Sequence, residues 1–306
     1  YKRQALYRTH AQLLKNLEKE YGVPGRYLLA FWGLETNFGG YMGNTRSLDA
    51  LATLACDTRR SGFFRGELLA ALKVIEKHQL APDALVGSWA GALGLVQFMP
   101  SNYLRYGRDG DGDERVDLFA STRDALTSAA HFLNRLGWQE GERWGREVAL
   151  PDGFDYALAD GRSTRKLSEW KALGLKNAYG GPLPVADIEA ALHVPGGHRG
   201  PAFLTYTNFA VTKRWNNSNF YALAVGHLAD RIIGAAPLVR MPSGKSPAIR
   251  LETVRRAQAR LNQLGFPLGK PDGIIGSGTR GAIRAYQQSH NPVSYTHLRA
   301  HETSLH

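Results

Sequence analysis

Apolar positions recur at spacings of three and four through much of residues 1–140, the period of a helix with one buried face. "ALYRTHAQLLKNLEKEYG", "FFRGELLAALKVIEKHQL" and "STRDALTSAAHFLNRLGW" carry the pattern, and the first and third end near a glycine, a common helix stop. From about 145 to 212 the texture changes. "GREVALPDGFDYALADGRSTRK" and "NAYGGPLP" are rich in turn residues, and "PAFLTYTNFAV" has strand character, which predicts a small sheet-containing insertion. Helical spacing returns in "NFYALAVGHLADRII". The expected chain is therefore mainly α, with a helical region over 1–234 that carries a β-containing insertion at 145–212. Residues 235–247 read as a linker by their Pro, Gly and Ser content, and 248–290 as a small unit of helix, turn and helix. "NPVSYTHLRAHETSLH", 291–306, continues neither pattern and reads as a non-native assembly scar, so His297, His301 and His306 are set aside as metal ligands.

Length and composition narrow the class. A chain of 306 residues is long for one hydrophobic core, in keeping with more than one domain. At 43% hydrophobic and 21% charged it has the balance of a soluble globular protein. No run reaches the ~18 apolar residues of a membrane span. The first residues already read as helix, so the chain is expected to begin inside a longer protein whose targeting signal or anchor lies outside it. The formal charge of +11 favours an anionic partner. Lys and Arg are not interleaved with aromatics in blocks, so nucleic acid is not the expected partner. Cys56, the single cysteine, excludes an internal disulfide and a cysteine-based zinc site.

One carboxylate, Glu35, stands among aromatic and glycine residues in "FWGLETNFGG". On a helix, Leu28, Phe31 and Glu35 fall at i, i+3 and i+7 and share the face that should point inward. A carboxyl there loses solvation, its pKa rises, and it keeps the proton a general acid needs. Gly39 and Gly40 are expected to end the helix and leave open space beside the acid. The competing reading is a Glu at a helix end with its head in water. A second stretch, "GSWAGALGLVQFMPSNYLRYG" at 87–107, adds glycines that permit close backbone approach. It also holds two neutral hydrogen-bonding side chains, Ser88 and Gln97, a mix suited to a sugar.

"GLETNFGG", "GSWAGALGLVQFMPSNY", "DGDGDERVDLF" and "KRWNNSNFYALAV" resemble, in this order and spacing, the motifs of B-type lytic transglycosylases, glycoside hydrolase family 103, over roughly residues 1–235. The resemblance implies a lysozyme-like helical core. It also implies cleavage of the peptidoglycan bond between N-acetylmuramic acid and N-acetylglucosamine, with a 1,6-anhydro end on the product. It assigns Glu35 as the single catalytic acid and Ser88, Gln97, Asn216 and Tyr221 as glycan contacts. Trp215 and Phe132 stand where the family often has Tyr; Trp215 is expected to stack on a sugar, and Phe132 to have lost a hydroxyl contact. Arg59 and Arg60 are candidates for the peptide carboxylates of the substrate. No Asp or Glu accompanies Glu35 in its own motif or in 87–107; the next along the chain, Asp49 and Asp57, lie in segments the family does not use as a nucleophile. One acid then serves twice, with the substrate's acetamido group assisting. Ser88 would steady that acetamido group and Gln97 the carboxyl.

"DGDGDERVDLFASTRD" places Asp109, Asp111 and Asp113 at positions 1, 3 and 5 of an EF-hand-like loop, with the Arg115 carbonyl at 7. Glu114 replaces the usual Gly at 6 and Ala120 the usual Glu at 12. The family carries a variant loop with a late Asp, a part that Asp124 would fill. The expected ion is a structural calcium, with no cofactor needed for the chemistry. The unit at 248–290 resembles a three-helix peptidoglycan-binding domain, here truncated, with Asp272, Gly273, Gly276 and Thr279 forming the turn and next helix start. The expected partners are glycan strands and other cell-wall enzymes. The expected location is the periplasm of a Gram-negative bacterium, either soluble or held at the outer membrane by an anchor outside this chain. Two other readings stay open: a non-catalytic wall-binding protein, and a hydrolytic lysozyme or chitinase.

Overall fold

The computed structural model describes residues 2–197, 200–241 and 249–290. The tail at 291–306 and linker residues 242–248 lie outside the described residues. Two compact units divide the chain: Tyr1–Glu142 with Asn208–Ala236, and Arg143–Thr207 with Pro237–His306.

The first unit opens with helices α1 (Lys2–Thr9), α2 (Ala11–Tyr21) and α3 (Gly25–Thr36). Strand β1 (Thr45–Arg46) leads into α4 (Ser47–Cys56) and α5 (Ser61–His78). Strand β2 (Val86–Gly87) pairs antiparallel with β1, and α6 (Pro100–Tyr106) and α7 (Thr122–Arg135) follow. The quoted three-and-four spacing falls on α1 and α2, which read as one stretch, and on α5 and α7; it does not mark α4 or α6. Every residue of α3 from Tyr27 to Trp32 is buried, so α3 is a central helix enclosed on all sides rather than an amphipathic surface one.

The second unit begins with β3 (Gly145–Ala149), β4 (Thr164–Lys166), α8 (Leu167–Ala172), β5 (Lys176–Asn177), β6 (Glu189–His193) and β7 (Ala202–Thr205). They form one antiparallel sheet in the order β4-β6-β7-β3-β5. Trp170 of α8 is fully buried under it, and its indole N–H donates to the Ala190 carbonyl at 2.9 Å, so the ring's one polar atom is satisfied inside the core. The strand character of "PAFLTYTNFAV" extends only to Thr205. From Thr207 the same stretch is helix α9 (Thr207–Trp215), which returns the chain to the first unit and leads to α10 (Asn219–Ile232).

Helices α11 (Leu251–Gln263) and α12 (Ser277–His290) form the small terminal part. Gln258 is buried at its centre. Its amide donates to Asp272 Oδ1 (2.8 Å), the Ile274 carbonyl (3.1 Å) and Thr279 Oγ1 (3.0 Å), and its oxygen accepts from the Gly273 N–H (2.8 Å). The turn residues singled out in the sequence are thus organised around a glutamine that the pattern did not mark. The described start of the linker is tied down: both Glu147 oxygens of β3 accept backbone N–H groups, from Val239 and Arg240, at 2.8 Å. Among the described residues no helix is long and apolar enough to cross a membrane.

Candidate active site

Glu35 lies in the last turn of α3, and the helix does not end as expected. Gly39 and Gly40 are not its stop. Thr36 is the final helical residue, and Asn37 (φ 51°) and Phe38 (φ 59°) both take the left-handed conformation. Their N–H groups donate back to the Gly33 carbonyl (3.0 Å) and the Trp32 carbonyl (3.3 Å), which satisfies the helix end that a glycine usually closes. The Thr36 hydroxyl, buried at 2% exposure, donates to the Leu95 carbonyl at 2.8 Å and accepts the Gly39 N–H at 3.0 Å. That hydroxyl joins the acid's helix to the second motif.

Oε1 of Glu35 accepts two hydrogen bonds, one from the Trp215 indole N–H at 3.0 Å and the other from the Tyr221 hydroxyl. Trp215 ends α9. Tyr221 sits in the first turn of α10, where Ser218 caps the helix by accepting the Tyr221 N–H at 3.3 Å. The Trp215 ring packs against Phe31 (4.4 Å between centroids), Phe98 (5.3 Å) and Phe132 (5.3 Å). Burial in this aromatic setting pushes the Glu35 pKa above the ordinary glutamate range and outweighs the two hydrogen bonds, which pull it down. Burial first, then the neighbouring carboxylate, holds the Tyr221 hydroxyl well above its ordinary pKa, so it stays a donor.

Ser88 and Gln97 stand on the adjoining loop, both half-buried. Ser88 Oγ accepts the Ala92 N–H at 3.0 Å, which leaves its own proton to donate. Gln97 has a left-handed backbone (φ 49°), and its amide nitrogen donates to both the Met42 and Gly94 carbonyls at 3.0 Å. Both amide hydrogens are spent, so the side chain presents an acceptor, which can take a hydrogen bond from a protonated carboxyl, a hydroxyl or an amide N–H but has no donor left for an ionised carboxylate. Gly43 makes the Met42 contact possible: its φ is +101°, and a Cβ there would lie 2.0 Å from the Gly87 carbonyl oxygen.

The structure also places the five other expected contacts. Phe132 is 5% exposed, packed against Phe98, Tyr106 and Trp215, so it supports the Trp215 ring from beneath and presents no face to a substrate. Trp215 uses its polar edge on Glu35 and its ring on phenylalanines, rather than standing free as a sugar platform. Arg59 is bound to Asp57, its guanidinium at 2.8 Å from Oδ2, whereas Arg60 lies over the Phe63 ring (4.4 Å) with no ion pair among the described residues. Asn216 is exposed at the end of α9. Two large rings that the pattern did not single out, Trp89 and Tyr41, are 73% and 64% exposed on the segments next to Ser88 and Met42. Only the folded structure marks them, because in the sequence they look like any other aromatic.

In the acidic loop, carboxylate oxygens of Asp109, Asp111 and Asp124 lie within 4.8 Å of one another. Asp113 does not join them. Its Oδ1 instead accepts the Arg115 N–H at 2.9 Å. Asp124, in the first turn of α7, is buried, and burial raises its pKa even though it accepts N–H groups from Gly110 and Asp117. A cavity of about 410 Å³ opens beside this loop, lined by His10, Gln12, Asp111, Ser121 and Arg123. It does not reach Glu35, so the chemistry is not placed there.

Residues 2–230 match the transglycosylase SLT domain family, and residues 250–294 match a peptidoglycan binding domain. Membrane-bound lytic murein transglycosylase B of Escherichia coli K12 is 35% identical over 218 residues, which are 69% of this chain and 58% of that protein. The chain thus spans less than two thirds of that relative's length. SltB3 of Pseudomonas aeruginosa, solved with NAG-NAM-pentapeptide, superposes with a TM-score of 0.92 at 40% identity, covering 99% of this chain and 81% of that one. The same protein solved with NAG-anhNAM-pentapeptide gives a TM-score of 0.88 at 42% identity, covering 94% and 78%. Slt35 of E. coli, solved with calcium, gives 0.64 at 32% identity, covering 76% and 73%. The expected lysozyme-like, mainly helical fold agrees with these likenesses. A family match across three quarters of the chain and these solved relatives converge: the chain belongs to the transglycosylase SLT domain family.

Proposed function

We propose that this chain is a lytic transglycosylase. It cleaves the β-1,4 bond between N-acetylmuramic acid and N-acetylglucosamine in peptidoglycan and leaves a 1,6-anhydro end. The observation that carries this reading is Glu35 itself: a carboxyl in an aromatic pocket, its pKa raised by burial, with no second carboxylate among the described groups that shift it. A glycosidase with two carboxylates would need that partner. The relative solved with both NAG-NAM-pentapeptide and NAG-anhNAM-pentapeptide supports the substrate and product assignment.

In this mechanism Glu35 protonates the leaving glycosidic oxygen, and the acetamido oxygen of the muramic residue stabilises the positive charge at C1. The ionised Glu35 then accepts the C6 hydroxyl proton as O6 bonds to C1, which restores the acid. Ser88, with a proton to donate, orients the acetamido oxygen. Gln97 accepts from a sugar hydroxyl or amide N–H. Arg60, without a carboxylate partner, is the better of the two arginines for a stem-peptide carboxylate.

Three convergent aspartates suit a hard cation with oxygen ligands, and Asp124 is a buried carboxylate without a cationic partner among the described residues. A calcium ion held by Asp109, Asp111 and Asp124 would neutralise that cluster and fix the loop to α7. It would be structural, and no catalytic step passes through it. The terminal unit would hold the enzyme on the wall, and the periplasm is the compartment where that substrate lies.

The test is mass spectrometry of soluble products from purified sacculi, wild type beside Glu35→Gln. Anhydro-muropeptides from wild type alone are expected. Reducing ends would make the protein a hydrolase. Sacculus binding without products would make it a wall-binding protein.

A further inference from the structure

Two donors from two different helices converge on one oxygen of Glu35, and the other oxygen is left without a protein hydrogen bond among the described residues. We propose that Trp215 is a positioning residue for the acid. Its indole N–H, together with the Tyr221 hydroxyl, fixes Oε1 as the permanently accepting oxygen and so makes Oε2 the atom that gives and retakes the proton.

In a neutral carboxyl group one oxygen carries the proton and the other accepts. An oxygen already facing two donors is the accepting one, so the proton sits on Oε2. The indole N–H is a donor only and does not titrate in the working range. It therefore holds Oε1 in the same role before and after proton transfer, which a residue that can turn its hydrogen away does not guarantee. Packing of the ring against Phe31, Phe98 and Phe132 fixes the direction of that N–H. Among the described residues, the titratable group that shifts Glu35 is Tyr221 of α10, and no charged side chain of α1, α2, α7 or α9 stands beside it as a cause.

The inference rests on the transglycosylase reading for its turnover consequences. Oε2–H moves to the glycosidic oxygen as the C1–O bond breaks, with the bonding pair going to the leaving sugar. When O6 bonds to C1, the C6 hydroxyl proton goes to Oε2. Oε1 keeps its two hydrogen bonds throughout, and these become charge-assisted while Glu35 is ionised.

Replacement of Trp215 by 3-benzothienylalanine tests this, because sulfur takes the place of the N–H while the bicyclic ring and its packing stay. Losing a donor to the ionised form disfavours that form. The alkaline limb of the kcat/KM profile should move up by on the order of one pH unit. The Glu35 carboxyl titration, followed by ¹³C NMR on free protein, should move the same way. Trp215→Phe should show the same shift together with a loss of ring packing. An unchanged titration in the benzothienyl variant would overturn the proposal and leave Trp215 a packing or sugar-stacking residue. The NMR arm needs no substrate. A wild type that yields no anhydro product therefore refutes the transglycosylase reading, and only the carboxyl titration decides the role of Trp215.

Discussion

Replacing Thr36 by Val removes a hydroxyl of almost unchanged shape from the joint between the acid's helix and the second motif. The Leu95 carbonyl, on a residue 6% exposed, loses the donor now at 2.8 Å, and the Gly39 N–H loses its acceptor at 3.0 Å. A buried polar group left unpaired costs about 1–3 kcal/mol. Gly39 is half-buried and recovers part of this from water, so the sum comes to roughly 2–3 kcal/mol. For a unit of roughly 170 residues, each kcal/mol lowers Tm by about 2–4 °C, which gives a drop of roughly 4–12 °C. The consequence for function follows from adjacency: Thr36 is the residue after Glu35, and loosening it moves the acid relative to Gln97. Turnover on sacculi should fall more than binding does. Thermal unfolding by calorimetry, beside a sacculus clearance assay, reads both. Thr36→Ser keeps the hydroxyl and should lie close to wild type in both assays. If Thr36→Val melts within one degree of wild type, the hydroxyl is not the joint described here.

Glu35→Gln should stabilise the protein at neutral pH. The folded pKa of Glu35 lies above its unfolded value, so the wild type loses stability as pH climbs from the ordinary glutamate pKa toward the raised one. The variant does not, and the Tm difference should vanish in acid, where both states hold the proton. Calcium added to chelator-treated protein should raise Tm with a logarithmic dependence on concentration, and Asp124→Asn should weaken that response. Gln97→Glu would aim a carboxylate at the Met42 and Gly94 carbonyls in place of two donors. A loss of about 2–4 kcal/mol in denaturant unfolding is expected, with a larger proportional loss of turnover.

The helices were legible because burial on one face leaves a period, and α2, α5 and α7 have it. The apolar setting of Glu35 was legible from the density of apolar residues around it rather than from a period, because α3 is buried on every side from Tyr27 to Trp32. The stop of α3 was misread. Glycine is the usual left-handed residue, yet Asn37 and Phe38 took that conformation, and their cost is met by carbonyls of the preceding turn. The end of β7 was misread because "TNFAV" has strand propensity but sits at the return to a helical unit, where packing decides. The metal loop was legible in its spacing but not in its membership. Asp113 matches the EF-hand register, and the local turn captures it all the same, because a short aspartate satisfies a backbone N–H two residues on more cheaply than it reaches across a loop.

What the sequence did not show about the acid is its partners, and the reason is distance along the chain. Trp215 and Tyr221 lie 180 and 186 residues from Glu35, beyond a whole sheet-containing excursion. Neither periodicity nor spacing carries information across that gap. Residue type carried some: a buried carboxyl requires donors, so aromatic residues with polar edges were reasonable company for it. The same chemistry suits a sugar platform equally well, and only geometry separates the two uses. A ring whose N–H points at a carboxylate, and whose face lies on three phenylalanines, has both its polar edge and much of its surface engaged by the protein. The role read from substitution at a familiar position, a Trp where a Tyr is common, is therefore incomplete, because it leaves out the carboxylate that the indole N–H serves. The change from hydroxyl to indole is better understood from the side of the acid it serves: it exchanges a rotatable donor for a fixed one.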